Sequence, residues 1–191
     1  MNVIYIHTHD TGRYIEPYGY GVKTPNLLKL AKEGILFRNA FTATPTCSPS
    51  RSAQLTGTYP HSNGMLGLAH LGFKLNDYHK MIGNHLLKNN IDTALCGIEH
   101  EGGNRDERGY RYVYRSKSKD FKEIDIEDTK EAVNYIKSTK APFYLNLGFI
   151  NTHREYLKNG DVNPGFVMPP CCLPDHPKQE KIWRIFVIRQ K

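Results

Sequence analysis

Cys47 stands between two prolines in the stretch "PTCSPSRSAQLTG" (45–57), with Arg51 four residues further on. From the cysteine onward the chain reads as a helix, with Ser48 as cap, Pro49 at the first helical position and Gly57 at the stop. A helix N-terminus offers unpaired N–H groups and the positive end of the dipole, so an anionic group at the cysteine is favoured. Arg51, one turn in, lies on the same face, and its planar fork suits an anion. Three chemistries remain open on these residues alone. They are an anion site at Cys47, a low-pKa thiolate nucleophile, and a structural thiol beside a capped helix with Arg51 on the surface. Other chemistry-bearing side chains gather after apolar runs: His7, His9 and Asp10 after "NVIYI", Glu99 and His100 after "DTALCGI", and Asn151, His153 and Arg154 after "PFYLNLGFI". Imidazole and carboxylate are metal ligands, although a single loop histidine is most often only solvated. Their repetition after successive runs points to one rim.

The elements that must position these groups alternate. "NVIYIHTHD" reads as a buried strand with a polar end. "TPNLLKLAKEG" carries Thr24 as N-cap, Pro25 at the first helical position and Gly34 at the stop. "ILFRNAFTAT" reads as a second strand, ahead of the helix that begins near Cys47. Further on, "HKMIGNHLLKNN" and "DIEDTKEAVNYIKST" read as helices, and "DTALCGI" and "PFYLNLGFI" as strands. "RDERGYRYVYRSKSKD" reads as an exposed excursion. This alternation predicts an α/β fold with a mainly parallel sheet flanked by helices. Ligands of such sheets gather at the carboxyl ends of the strands, so Asp10, Cys47, His100 and His153 are expected at one edge.

Length and composition bound the rest. A chain of 191 residues, 39% hydrophobic and 24% charged, fits one domain with a real core. No apolar run is long enough to cross a membrane, and no secretory signal is present in the chain as given, which predicts a cytoplasmic protein or a trimmed chain. The four cysteines (Cys47, Cys96, Cys171, Cys172) are too few and too irregular for a disulfide framework and show no zinc-type pairs. The net charge of +7 suggests an anionic partner, with a solvated basic surface as the commoner explanation of charge that is scattered rather than striped; no nucleic-acid partner is expected.

"CSPSRSAQLTG" resembles the sulfatase signature C-x-P-x-R with its leucine-threonine-glycine helix end. "GILFRNAFTATPTCSPSR", "PHSNGMLGL" and "TPNLLKLAKEG" resemble the same family, most closely its heparan N-sulfatase (sulfamidase) branch. The resemblance runs from about residue 3 to about residue 177. It implies an alkaline-phosphatase-like fold and hydrolysis of a sulfuric ester or sulfamate on a sulfated sugar. It places Cys47 at the position that a formylglycine-generating enzyme oxidises, and Arg51 at the arginine that holds the product. Asp10 matches the second of two metal-binding aspartates, with His9 at the first, and Cys47 completes this side of the metal site. The implied cation is divalent, calcium with magnesium as alternative; calcium prefers oxygen, so His9 is a departure. His100 matches the histidine of a G-K-x-H motif written here "GIEH", with Ile98 in place of the lysine. His153 in "NTHREY" matches a histidine that contacts the sulfate.

The family's chemistry explains these residue types. A hydrated aldehyde at position 47 attacks sulfur with one oxygen, and its second hydroxyl then expels sulfate; an unmodified cysteine has no second hydroxyl. Arg51, His153 and the cation stabilise the developing charge, and His100 protonates the leaving group. Two other readings stand beside this one. They are a C-x-P-x-R-type metal-dependent phosphodiesterase or phosphonate hydrolase, and an inactive fragment, because the family's later Asp-Asn ligand pair has no counterpart here. The ending "IWRIFVIRQK" turns abruptly basic and apolar. Residues 178–191 are accordingly read as an atypical tail left by truncation or a shifted frame, after an N-terminal catalytic part over 1–177.

Overall fold

Three apolar runs rich in β-branched and aromatic residues become parallel strands, as their composition favours. In the computed structural model these are β1 (Val3–His7), β2 (Asp92–Gly97) and β4 (Phe143–Gly148), with a short β3 (Tyr112–Tyr114) beside β2. The structure describes residues 1–103 and 105–153; the expectations for Arg154, Cys171, Cys172 and the tail from 178 lie outside the described residues. The chain divides into two units, Met1–Thr8 with Phe41–Asn151, and His9–Ala40 with the chain from Thr152.

The first unit holds the sheet, with strand order β1-β4-β2-β3 and every pairing parallel. β4 is buried along its whole length and β2 nearly so, as expected of central parallel strands covered on both faces. The helix α5 (Phe121–Ser138) lays Ala132 and Tyr135 against Ala94, Cys96, Phe143, Leu145 and Leu147. Burying one such leucine contributes roughly 2 kcal/mol. Asp120 caps α5 by accepting from the Lys122 N–H at 2.9 Å. A second core joins Leu55 of α2 (Cys47–Thr56) to Met65, Leu75, Tyr78 and Met81. The short helices α3 (Pro60–Asn63) and α4 (Ile82–Lys88) complete this unit. The expected helix over 79–90 is broken at Met81, whose extended backbone separates the turn at Tyr78–Lys80 from α4.

The second unit contains α1 (Pro25–Glu33), which begins at Pro25 and ends before Gly34 as its sequence grammar requires. Thr24 does not cap its own helix through its side chain. It exchanges two hydrogen bonds with Glu16 instead: the Glu16 N–H donates to Thr24 Oγ1 at 3.1 Å and the Thr24 N–H donates to Glu16 Oε2 at 3.0 Å. Tyr18 Oη donates to the Phe37 carbonyl at 2.9 Å and ties the segment after α1 back to its start.

Three expectations are corrected. β1 forms where its sequence places it, but it is not a buried strand: Val3, Ile4 and Ile6 are exposed. It pairs with β4 alone and lies at the edge of the sheet among the described residues, where cover is thinnest. "ILFRNAFTAT" is not a strand: Ile35, Phe37 and Phe41 are 83%, 68% and 91% exposed. A strand exists through a neighbour's hydrogen bonds, and this segment has no strand partner among the described residues. "RDERGYRYVYRSKSKD" is not wholly an excursion, because its alternating aromatics form β3, with Leu95 opposite Val113 and Cys96 opposite Tyr114. Tyrosine and valine fit a pleated half-buried surface well enough to outweigh the flanking charge.

Candidate active site

Cys47 is the first residue of α2, with Thr46 as N-cap, two residues before the first helical position expected at Pro49. Ser48 is buried, and its Oγ accepts from the Ala69 N–H at 3.1 Å instead of capping. Pro49 falls within the first turn, where a missing N–H costs nothing. Cys47 keeps a half-buried free thiol, whereas Cys96 is fully buried in the sheet and burial pushes its thiol up to about 12. Only the first of these two is placed to be reached and modified. Asn63 anchors the rest of α2, with Nδ2 donating to Ser52 Oγ at 3.2 Å and to Thr56 Oγ1 at 3.3 Å.

Arg51 is 8% exposed and does not lie on the surface. Its Nη1 donates to His7 Nδ1, and its Nη2 donates to the Thr8 carbonyl at 3.2 Å, both at the carboxyl end of β1. His7 Nε2 in turn lies 2.9 Å from Asn146 Oδ1, and Asn146 Nδ2 donates to Tyr110 Oη at 2.7 Å. Burial first, and the Arg51 charge second, push His7 down to about 3, so its ring is neutral. A neutral ring that donates at Nε2 must accept at Nδ1, which is the atom Arg51 addresses. The ring fits because the paired strand ends carry glycines. A Cβ at Gly148 would stand 2.6 Å from His7 Cε1 and 1.9 Å from the Ile98 carbonyl oxygen.

The chain leaves β2 through Gly97, at φ +84°, and reaches His100 at φ +66°, a left-handed conformation that is strained for a residue with a Cβ. His100 is close enough to His7 to contribute to holding it neutral. Next to it Glu101 is 1% exposed, and burial pushes its carboxyl up to about 8 against the opposing pull of Arg51. Glu99, expected beside His100 at the rim, is engaged in an ion pair with Arg108. A cavity of about 230 Å³ is lined by His100, Arg108, Tyr110 and Arg115 among others. After β4, Asp125 of α5 accepts from the Ile150 N–H at 2.7 Å and the Asn151 N–H at 3.0 Å, which fixes how the chain leaves that strand.

Of the residues expected from sequence, the structure brings Cys47, Arg51 and His100 into the first unit. His9, Asp10 and His153 belong to the second. There the His9 and His153 rings meet edge to face with centroids 4.8 Å apart, Asp10 is exposed, and Thr11 and Thr152 share a hydrogen bond of 2.8 Å. Imidazole nitrogens suit a transition-metal cation better than calcium, which prefers oxygen, and exposed Asp10 joins no cluster of three or more ligands among the described residues. Sequence reasoning alone misses Asn146, Tyr110 and Glu101. A legible signal exists for the first, since an asparagine inside the otherwise apolar "YLNLG" is a polar group that must find partners.

The profile of the sulfatase family matches residues 1–179 of this chain. The chain belongs to the sulfatase family. Human N-sulphoglucosamine sulphohydrolase is 32% identical over 139 residues, covering 70% of this chain and 28% of that protein. An ulvan-active sulfatase of Formosa agariphila is 33% identical over 161 residues, covering 81% of this chain and 31% of that protein. This sulfatase chain therefore spans about a third of the length of these relatives. A solved structure described as a complex with its substrate D-glucosamine-2-N,6-O-disulfate superposes with a TM-score of 0.71 at 22% identity, over 82% of this chain and 35% of that one. The parallel sheet flanked by helices is thus the alkaline-phosphatase-like fold of sulfatases.

Proposed function

We propose that this sulfatase chain carries the nucleophile-bearing part of a hydrolase of sulfuric esters or sulfamates on a sulfated sugar. The observation that carries this reading is Cys47 at the start of α2 with the buried Arg51 one turn behind it. Named relatives support the substrate class: one is an N-sulphoglucosamine sulphohydrolase and another an ulvan-active sulfatase. The solved neighbour's substrate is a disulfated glucosamine.

In this reading Cys47 is the residue that a formylglycine-generating enzyme oxidises, and a divalent cation would draw its ligands from His9, Asp10 and the oxidised residue 47. When bound, a divalent cation would lower the pKa of an oxygen on the oxidised residue 47. Arg51 offers its remaining N–H donors to the sulfate oxygens, where a fork is worth more than a point charge. His153 donates to the same anion. His100 delivers a proton to the departing oxygen or nitrogen. The strained backbone of His100 supports that role, since such conformations persist mainly where function requires them.

Intact-mass analysis of the peptide containing Cys47, after co-expression with a formylglycine-generating enzyme, is the direct test. Conversion of thiol to aldehyde is the expected result, together with retention of a sulfated glucosamine that Arg51→Ala abolishes. An unconverted thiol and unchanged retention would refute the reading.

A further inference from the structure

We propose that His7 is the residue that positions Arg51, through a hydrogen-bond chain running from Arg51 through His7 and Asn146 to Tyr110. The inference rests on the reading of Arg51 as the anion-holding residue. Its geometry lies wholly within the first unit. Arg51 Nη1 meets His7 Nδ1, with Nε2 further away at 3.4 Å, so Nδ1 is the acceptor. His7 Nε2 faces Asn146 Oδ1 at 2.9 Å, and an amide oxygen can only accept. The imidazole is therefore held as the Nε2–H tautomer. The orientation of the amide follows from Arg51, which can only donate: His7 Nδ1 must accept, Nε2 then donates to Asn146 Oδ1, and Nδ2 is left to donate to Tyr110 Oη at 2.7 Å. Asn146 is 1% exposed and belongs to the fully buried β4, which leaves the amide no water to turn toward.

An arginine carries a long, flexible side chain, and fixing it costs rotamer entropy. Two bonds at the end of β1, one to His7 and one to the Thr8 carbonyl, meet that cost before any ligand arrives. The guanidinium plane is then set, and its other N–H donors remain for an anion. The histidine acts through Arg51 and touches no reacting atom, which makes it a positioning residue. Gly148 belongs to the same device, since only a residue without a Cβ leaves room for the ring.

The test uses inorganic sulfate as probe and the whole chain, with affinity followed by NMR titration. Wild type is compared with Arg51→Ala, His7→Leu, His7→Gln and Tyr110→Phe, and thermal midpoints are recorded for each. His7→Leu is expected to weaken sulfate binding about tenfold, as for loss of a charge-assisted hydrogen bond. Gln can accept and donate at comparable reach, so His7→Gln should recover binding to within about threefold. Tyr110→Phe should weaken binding about threefold and lower the thermal midpoint, since the buried Asn146 amide loses its acceptor. Sulfate affinity unchanged in His7→Leu while Arg51→Ala abolishes it would overturn the positioning role and leave the function reading standing. Affinity unchanged in Arg51→Ala would sink that reading and this inference together. Should His7→Leu fail to fold, the ¹⁵N shifts of His7 in the wild type decide the matter. An Nε2–H pattern supports the chain of bonds, and an Nδ1–H pattern excludes it.

Discussion

Two of the five N–H donors of Arg51 point back into the protein, to His7 and the Thr8 carbonyl. They hold a cation of 8% exposure without a carboxylate hydrogen-bonded to it among the described residues. Lysine would keep the charge and lose the fork, because its three donors radiate from one atom and cannot bond two fixed acceptors and two oxygens of a sulfate at once. In a catalytically competent form, Arg51→Lys is expected to lose roughly 2–4 kcal/mol of transition-state stabilisation, as for one oxyanion donor. The measurement is kcat/KM on an aryl sulfate. Full activity in the mutant would place Arg51 outside the machinery.

At the level of elements, the paired ends of β2 and β4 decide whether the histidine and arginine can meet. Gly97 and Gly148 are register partners, and both lie against backbone that a Cβ would strike. Gly148→Ala should destabilise the protein by about 1–3 kcal/mol, the usual cost of overpacking a close site. It should also displace the His7 ring and so weaken sulfate binding in parallel with His7→Leu. Urea unfolding and sulfate titration of the same variant check both parts. A Gly148→Ala protein with wild-type stability would show that the strand ends can relax apart.

For the whole molecule, two buried groups give stability an unusual dependence on pH. His7 is held near 3 against 6.5 in the unfolded chain, so the unfolded state binds the extra proton and stability falls as pH drops from 6.5 to 3. Glu101 is held near 8 against 4.5, so the folded state binds the extra proton and stability falls as pH rises from 4.5 to 8. Between 4.5 and 6.5 the two slopes oppose one another. The expected profile is a plateau there, with a decline of at most about 1.4 kcal/mol per pH unit on either side. Urea midpoints from acid to mildly alkaline pH test this. Glu101→Gln should remove the decline above pH 6.5, and a wild-type stability that rises from 6.5 to 8 would contradict the assignment.

Much of this is legible in the chain itself. Local grammar places β1, β2, β4, α1, α2 and α5, because apolar runs, prolines at helix starts and glycines at stops act over a few residues. It also singles out Cys47 and Arg51, whose four-residue spacing is meaningful only on a helix. What local grammar cannot decide is partnership. Exposed "ILFRNAFTAT" and paired "YRYVY" carry similar alternation, and only the presence of a neighbouring strand distinguishes them. The same holds for the partners of Arg51. His7, Asn146 and Tyr110 lie 44, 95 and 59 positions from it in the chain, and a hydrogen bond depends on distance in space, which only the packed parallel sheet supplies.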